Sequence, residues 1–209
     1  MRTPIFRHTA AVAIAVAALT LGGCMNPESD DQPDAEARSA EYGRTIEQEL
    51  PPLVRAAGWD SIGTLTEKSC LGTADPEEAS RNTRWTGSSG ASGLSQSEAE
   101  EIADDVRSTA EENGWDPKEG KGPHGDRVYG ASKGDLTLTV TYHTGAGRPE
   151  LTLSLDSPCL DMPSGHTMSR SELDPMYGSS DPLYPNDDRS KFTNGKAKPL
   201  PSPSEDAAG

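Results

Sequence analysis

Side chains that could do chemistry are sparse beyond residue 23 of this sequence. Gly90-Ala91-Ser92-Gly93 falls one residue short of the turn that exposes a catalytic serine. It lies in a Gly/Ser-rich stretch before a predicted helix, so we interpret it as a linker. His143 continues the polar face of a predicted strand, whereas His124 and His166 lie in Gly/Pro-rich loops. A serine–histidine–aspartate set is formally available, as in most chains of this size, and carries little weight.

Motifs that bind metals or cofactors are missing from the sequence. Asp181, Asp187 and Asp188 do not match the spacing of a calcium loop. Neither Cys70 nor Cys159 has a second cysteine or a histidine at zinc-ligand spacing. The sequence contains neither a phosphate-binding loop nor a dinucleotide fingerprint. We therefore predict no catalytic residue, no cofactor and no metal.

The first 24 residues have the order of an export signal. Arg2 and Arg7 precede an uncharged run rich in Ala, Val, Ile and Leu, and small residues follow it. The apolar run is shorter than the about 20 residues that a membrane-spanning helix needs, so a transmembrane anchor is the weaker interpretation. An ordinary secretory signal that happens to contain a cysteine is a further alternative.

The run Leu21-Gly22-Gly23-Cys24 resembles the lipobox of bacterial lipoproteins. In that family the cysteine is diacylated and becomes the mature N-terminus after cleavage. The resemblance implies that residues 1–23 are removed, that Cys24 is the lipid attachment site, and that the protein faces outward from the cell membrane. Two acyl chains anchor a protein stably, because each buried methylene contributes about 0.8 kcal/mol.

Cys70 and Cys159 are the two cysteines that remain once Cys24 is assigned to the lipobox. An exported chain meets oxidising conditions, so an even pair predicts a disulfide. The chain resembles uncharacterised small lipoproteins of high-GC Gram-positive bacteria in its layout. The shared features are an acidic segment after the lipobox, a single disulfide and a Pro/Ser-rich C-terminal segment. That resemblance implies no particular activity.

The formal net charge of −15 restricts the possible partners. Phosphate binding needs clustered Lys and Arg, so we predict no nucleic-acid partner. The expected contacts are the membrane, through the lipid on Cys24, and an envelope protein or a cell-wall ligand. Solubility in an exposed compartment explains the acidity sufficiently.

Composition divides the chain into four parts. Residues 1–23 are the signal peptide, and residues 24–41 form an acidic, Pro-rich and Ser-rich tether that we expect to be flexible. Residues 42–159 form the folded domain. Residues 160–209 are a Pro/Ser-rich tail, which we expect to pack on the domain as an extended strap to about residue 191 and to be disordered beyond it.

Two amphipathic helices are predicted in the domain. The first carries an apolar stripe from Tyr42 to Ala57, with either a kink or a second short helix at Pro51 and Pro52. The second begins with a Ser95 capping box and ends at Asn113-Gly114. Both helices run into a Gly-Trp-Asp sequence, which hints at a duplicated helix–strand unit.

Alternating apolar residues predict strands at 136–143 and 151–155, with a third over 126–132 and weaker candidates at 61–66 and 83–86. The expected fold is α+β: an antiparallel sheet of about four to five strands with two helices on one face. The expected function is a non-enzymatic binding domain. A small cell-envelope hydrolase that uses His143 or His166 with a serine or a carboxylate is the alternative.

Overall fold

The computed structural model describes residues 32–73, 75–118, 128–143 and 149–202, and the structural statements below concern these residues. The helices are α1 (Gln32–Ala56), α2 (Pro76–Ala79) and α3 (Gln96–Glu112). The strands are β1 (Thr64–Ser69), β2 (Asn82–Ser92), β3 (Asp116–Lys118), β4 (Val128–Lys133), β5 (Leu136–His143), β6 (Glu150–Asp156) and β7 (Leu160–Asp161).

The strands form one antiparallel sheet in the order β1-β2-β6-β5-β4-β3, and β7 pairs with the beginning of β2. The predicted α+β class is confirmed, and the seven strands exceed the predicted four to five. The two additional strands are β3 and β7, of three and two residues. Both are too short to show the two-residue alternation from which strands are recognised in sequence.

One face of the sheet is apolar and lies under α1 and α3. A single row across five strands shows the pattern, because Leu65, Gly87, Leu155, Leu138 and Ala131 are successive register partners and are all buried. The helices add their own apolar stripes to the same core. The alternate positions on β5 and β6 are mostly Thr and Ser and are more exposed, as expected for a sheet with one solvated face.

Gly87 lets α1 approach the sheet closely. A β-carbon at this position would lie 2.6 Å from Leu50 Cδ2 and 2.9 Å from Ile46 Cγ2. Gly43 plays the reciprocal part on the helix, because a β-carbon there would lie 2.7 Å from the indole of Trp85. The two glycines therefore set the distance at which α1 crosses β2.

The capping box predicted for the second helix is confirmed. Glu98 N–H donates to Ser95 Oγ at 3.3 Å, and the Glu98 carboxylate accepts from Ser95 N–H at 2.8 Å. The predicted glycine caps are also present, since Gly58 and Gly114 have φ of 73° and 79°. The two Gly-Trp-Asp corners lead into β1 and β3, which are the first and last strands of the sheet order.

Helix α1 begins ten residues before the predicted domain boundary, so the described part of the expected tether, residues 32–41, is helical. Ala35 and Ser39 are buried on its inner side, which shows that small side chains alone provide the packing there. The helix also continues through Pro51 and Pro52. The alternative of a second short helix that starts at Pro51 is therefore wrong.

Gly90, Ala91 and Ser92 belong to β2, so their interpretation as a linker is wrong. Residue 90 is a glycine because a β-carbon there would lie 2.8 Å from the Leu151 carbonyl oxygen. Small residues in this stretch reflect close strand packing rather than flexibility.

Residues 162–202 are called the C-terminal strap here, and its residues 169–171 lie along the outer edge of β1 and protect it from pairing with other chains. Glu67 N–H donates to the Ser169 carbonyl at 2.8 Å, and Ser171 N–H donates to the Leu65 carbonyl at 3.0 Å. Met162, Met168 and Tyr184 of the strap are buried. Near its end, Leu200 N–H donates to the Asp60 carbonyl at 3.3 Å.

The predicted disulfide joins Cys70, just after β1, to Cys159, just before β7. It closes a loop of 89 residues and fixes the point at which the chain leaves the sheet to form the C-terminal strap. Among the residues that the structure describes, no helix has the length and apolar content to cross a membrane.

Candidate functional site

A cavity of about 280 Å³ opens where the beginning of α1, the strands β1 and β2, and the C-terminal strap meet. We call it the Glu67 cavity. Its principal lining side chains are Glu36 and Ser39 from α1, Glu67 from β1, Trp85 from β2, and His166 and Asn186 from the strap.

Glu67 is a carboxylate in the core, with 1% of its surface exposed. It points to the helix-covered face because it is the register partner of Trp85 on β2. Its Oε1 atom accepts hydrogen bonds from Ser39 Oγ at 3.1 Å, from Thr83 Oγ1 and from His166 Nε2 at 3.0 Å. Its Oε2 atom accepts from Ser169 N–H at 3.0 Å. A buried charge is stable only with such a set of donors.

His166 lies between two carboxylates. Its Nε2 is bonded to Glu67, and its Nδ1 is 3.6 Å from Glu36 Oε1. The histidine side chain is 10% exposed, whereas that of Glu36 is 57% exposed. The imidazole therefore connects the buried carboxylate to the mouth of the cavity.

The pKa values of the pair move in the directions of an ion pair. Burial alone would raise the pKa of Glu67, but hydrogen bonds from His166 and Thr83 and the charge of His166 outweigh it and hold this pKa below its usual value. Burial alone would lower the pKa of His166, but the carboxylates of Glu67 and Glu36 outweigh it and raise this pKa. The result is a glutamate–histidinium pair under mildly acidic conditions.

Ser39 links the aromatic wall of the cavity to Glu67. Its hydroxyl donates to Glu67 and accepts from Trp85 Nε1 at 3.1 Å. This arrangement orients groups and holds charge around the Glu67 carboxylate.

A second polar cluster fastens the strap that carries His166. Arg170 is nearly buried and donates to the Met176 carbonyl at 2.8 Å, to Ser179 Oγ at 3.0 Å and to Asp181 Oδ2 at 2.9 Å. Its guanidinium also stacks 3.8 Å from the centroid of the Tyr184 ring. Tyr184 in turn donates to the Glu67 carbonyl at 2.6 Å. These contacts position the strap against β1.

The residues singled out from the sequence are distributed over several places. Cys24 and His124 lie outside the described residues. His143 is exposed at the end of β5 opposite Glu150, away from the Glu67 cavity. Asp181 and Asp187 surround Arg170 as ion-pair partners. Within the described ranges, no group of three or more His, Cys, Asp or Glu side chains is arranged to hold a metal ion.

Glu36, Ser39 and Glu67 were missed from the sequence. A glutamate in a strand is ordinarily solvated, and Glu67 differs only because of partners far along the chain. One signal was present: β1 reads Thr-Leu-Thr-Glu-Lys-Ser, in which Glu67 falls on the same side as the apolar Leu65. A charged residue at an inward position indicates either a buried pair or a site.

Comparison of the chain with protein-family models, with curated proteins and with solved structures found no match.

Proposed function

We propose that this chain is the precursor of a lipoprotein anchored at the outer face of the cell membrane. The support is the N-terminal order of basic, apolar and small residues that ends in Leu21-Gly22-Gly23-Cys24. The disulfide between Cys70 and Cys159 agrees with this location, because such bonds persist outside the reducing cytoplasm.

The proposed molecular function is non-enzymatic ligand binding at the Glu67 cavity. The observation that carries it is the charged Glu67–His166 pair in the wall of an open cavity. A buried ion pair contributes little net stability, since desolvation offsets its attraction, so its presence beside a cavity favours a binding role. The hydrolase alternative would use the same contact between His166 and the Glu67 carboxylate.

A lipid on Cys24 would hold the protein at the membrane surface. A ligand of the cavity would then be one found at that surface or in the adjoining envelope.

Lipid attachment is tested by metabolic labelling with a fatty-acid probe. The wild type should incorporate the label, and Cys24→Ala should not. Cys70→Ala combined with Cys159→Ala is the matched control, because it removes two cysteines but leaves the lipobox intact. Equal labelling of Cys24→Ala would show that the lipobox interpretation is wrong.

Binding at the cavity is tested by the indole N–H signals of the full-length, ¹⁵N-tryptophan-labelled protein in non-ionic detergent. Trp85 lines the cavity, whereas Trp115 donates its indole N–H to Glu49 elsewhere and is an internal control. Small molecules dialysed from the cell envelope should shift the Trp85 signal and leave that of Trp115 unchanged. If no fraction shifts Trp85 selectively, the cavity is not the ligand site.

A further inference from the structure

The charges around the Glu67 cavity favour a ligand with a positive charge. Among the described residues, the carboxylates of Glu36 and Glu67 line it, His166 is its one basic group, and neither lysine nor arginine belongs to the lining. Even with His166 protonated, these residues leave one negative charge uncompensated. A cationic ligand would neutralise the site, whereas an anionic one would add to the repulsion.

The cavity also retains unused hydrogen-bond acceptors. Glu36 Oε1 forms a long ion pair with His166 Nδ1 at 3.6 Å, and its largely exposed carboxylate can accept further hydrogen bonds. Glu67 Oε2 accepts one hydrogen bond, from Ser169, although a carboxylate oxygen can accept two. The ligand should therefore be a donor-rich cation, and a primary ammonium with three N–H donors has this character.

The size of the cavity restricts the rest of the ligand. A volume of about 280 Å³ is near the lower limit of ligand pockets. Trp85 and Ala40 provide apolar surface beside the carboxylates. The part of the ligand inside the cavity is therefore small, and a short aliphatic chain fits these dimensions.

We propose that the Glu67 cavity binds a small primary ammonium group, with the –NH₃⁺ on the Glu36 carboxylate and the alkyl part against Trp85. This inference rests on the proposed function, which makes the cavity a ligand site, and adds the chemical class of the ligand. A free amine and the headgroup of an aminophospholipid both present this group.

The test uses n-butylammonium chloride, with n-butanol as the uncharged probe of similar shape. The full-length protein is kept in phosphate buffer and a non-ionic detergent, because amine buffers and zwitterionic detergents would compete. Butylammonium should shift the Trp85 indole signal in a saturable way, and butanol should not. The Trp115 signal should remain unchanged.

Matched variants on α1 assign the contact. Glu36→Gln should weaken butylammonium binding about tenfold or more, as expected when one charge-assisted hydrogen bond is lost. Glu41→Gln removes an equal charge from the same helix outside the cavity, and it should bind as the wild type does. Both substitutions are at exposed positions, so both variants should fold.

The source of the amine is assigned by placing the lipidated protein in nanodiscs. The Trp85 signal is compared between discs that contain a phospholipid with an ethanolamine headgroup and discs of phosphatidylglycerol. A difference between the two would identify the membrane lipid as the source of the amine. A shift that appears only when butylammonium is added would identify a soluble amine. Either result supports an ammonium ligand.

Three results would overturn the inference. The first is an equal Trp85 shift with butanol, the second is unchanged affinity in Glu36→Gln, and the third is the absence of a butylammonium shift. If envelope molecules still shift Trp85 selectively in any of these cases, the cavity remains a ligand site and only the ammonium assignment fails. If they do not, the proposed binding function fails as well.

Discussion

Replacing Glu67 by glutamine removes the buried charge while keeping the shape of the side chain. Four donors converge on the carboxylate, namely the hydroxyls of Ser39 and Thr83, the His166 imidazole and the Ser169 amide. Glutamine provides one oxygen in place of two, and its NH₂ group must then face one of these donors. At least one buried donor loses its partner.

The expected loss of stability follows from these contacts. An unpaired buried donor costs about 1–3 kcal/mol. The charge-assisted interaction with His166 is lost in addition, and breaking a buried ion pair by removing one partner typically costs about 3–5 kcal/mol in total. We expect Glu67→Gln to lower the free energy of unfolding by about 3–5 kcal/mol. Glu101→Gln on the exposed face of α3 should change it by less than about 0.5 kcal/mol.

The pH dependence of the wild type provides an independent check. The pKa of His166 is raised in the folded state from 6.5, so its contribution is complete below pH 6.5 and is lost as the pH rises through the folded value. The pKa of Glu67 is lowered from 4.5, so its contribution is complete above pH 4.5 and is lost as the pH falls through the folded value. The pair therefore contributes most between pH 4.5 and 6.5.

Urea unfolding is followed by circular dichroism with the disulfide intact. It measures the free energy of unfolding of the wild type and of Glu67→Gln from about pH 5 to about pH 9. Above pH 6.5 the wild type should lose at most about 1.4 kcal/mol per pH unit from this histidine. That decrease should be smaller in Glu67→Gln, in which Glu36 is the remaining carboxylate that raises the pKa of His166. Two results would refute the buried-pair interpretation. The first is that Glu67→Gln lowers the free energy of unfolding by less than about 1 kcal/mol at mildly acidic pH, and the second is that the variant keeps the pH profile of the wild type.

Two further predictions concern the framework. Gly87→Ala should lower the free energy of unfolding by about 1–3 kcal/mol in urea titrations, because its β-carbon meets Leu50 and Ile46. Gly130→Ala on β4 is the control, since its nearest contact would be 3.6 Å away, and similar losses in both variants would contradict the close-approach argument. Reduction of the disulfide, which closes a loop of 89 residues, should lower the free energy of unfolding by up to about 4–5 kcal/mol. Thiol alkylation before and after reduction checks the bond itself, and free thiols in exported protein would contradict it.

Several elements could be predicted because their signals are local. The Ser95 capping box and the Gly114 cap bound α3 within a few residues, and the strict alternation of β5 needs no tertiary information. The beginning of α1 was not predictable in this way. Its buried residues there, Ala35 and Ser39, are small, and Ala35 packs against Leu160 and Met162 from the other end of the domain.

The site could not be predicted because its interactions are long-range. His166 and Glu67 are 99 residues apart, and Ser39 is 28 residues from Glu67 in the other direction. Loop histidines and strand glutamates are common, so neither residue type alone indicates a pair. Only the alignment of the C-terminal strap along β1, which tertiary packing determines, brings them together.

The connectivity of the sheet has a consequence for folding kinetics. The central pairing joins β2 to β6, with Thr86 and Asp156 separated by 70 residues, and the contact that closes the edge joins Glu67 to Tyr184 over 117 residues. Such high contact order slows folding, because distant segments must meet before their contacts compensate the entropy of loop closure. The β1 edge remains unpaired until the last quarter of the chain arrives. For a chain that we propose to cross the membrane before folding, this delay keeps the polypeptide unfolded, and so competent for translocation, until nearly all of it has been exported.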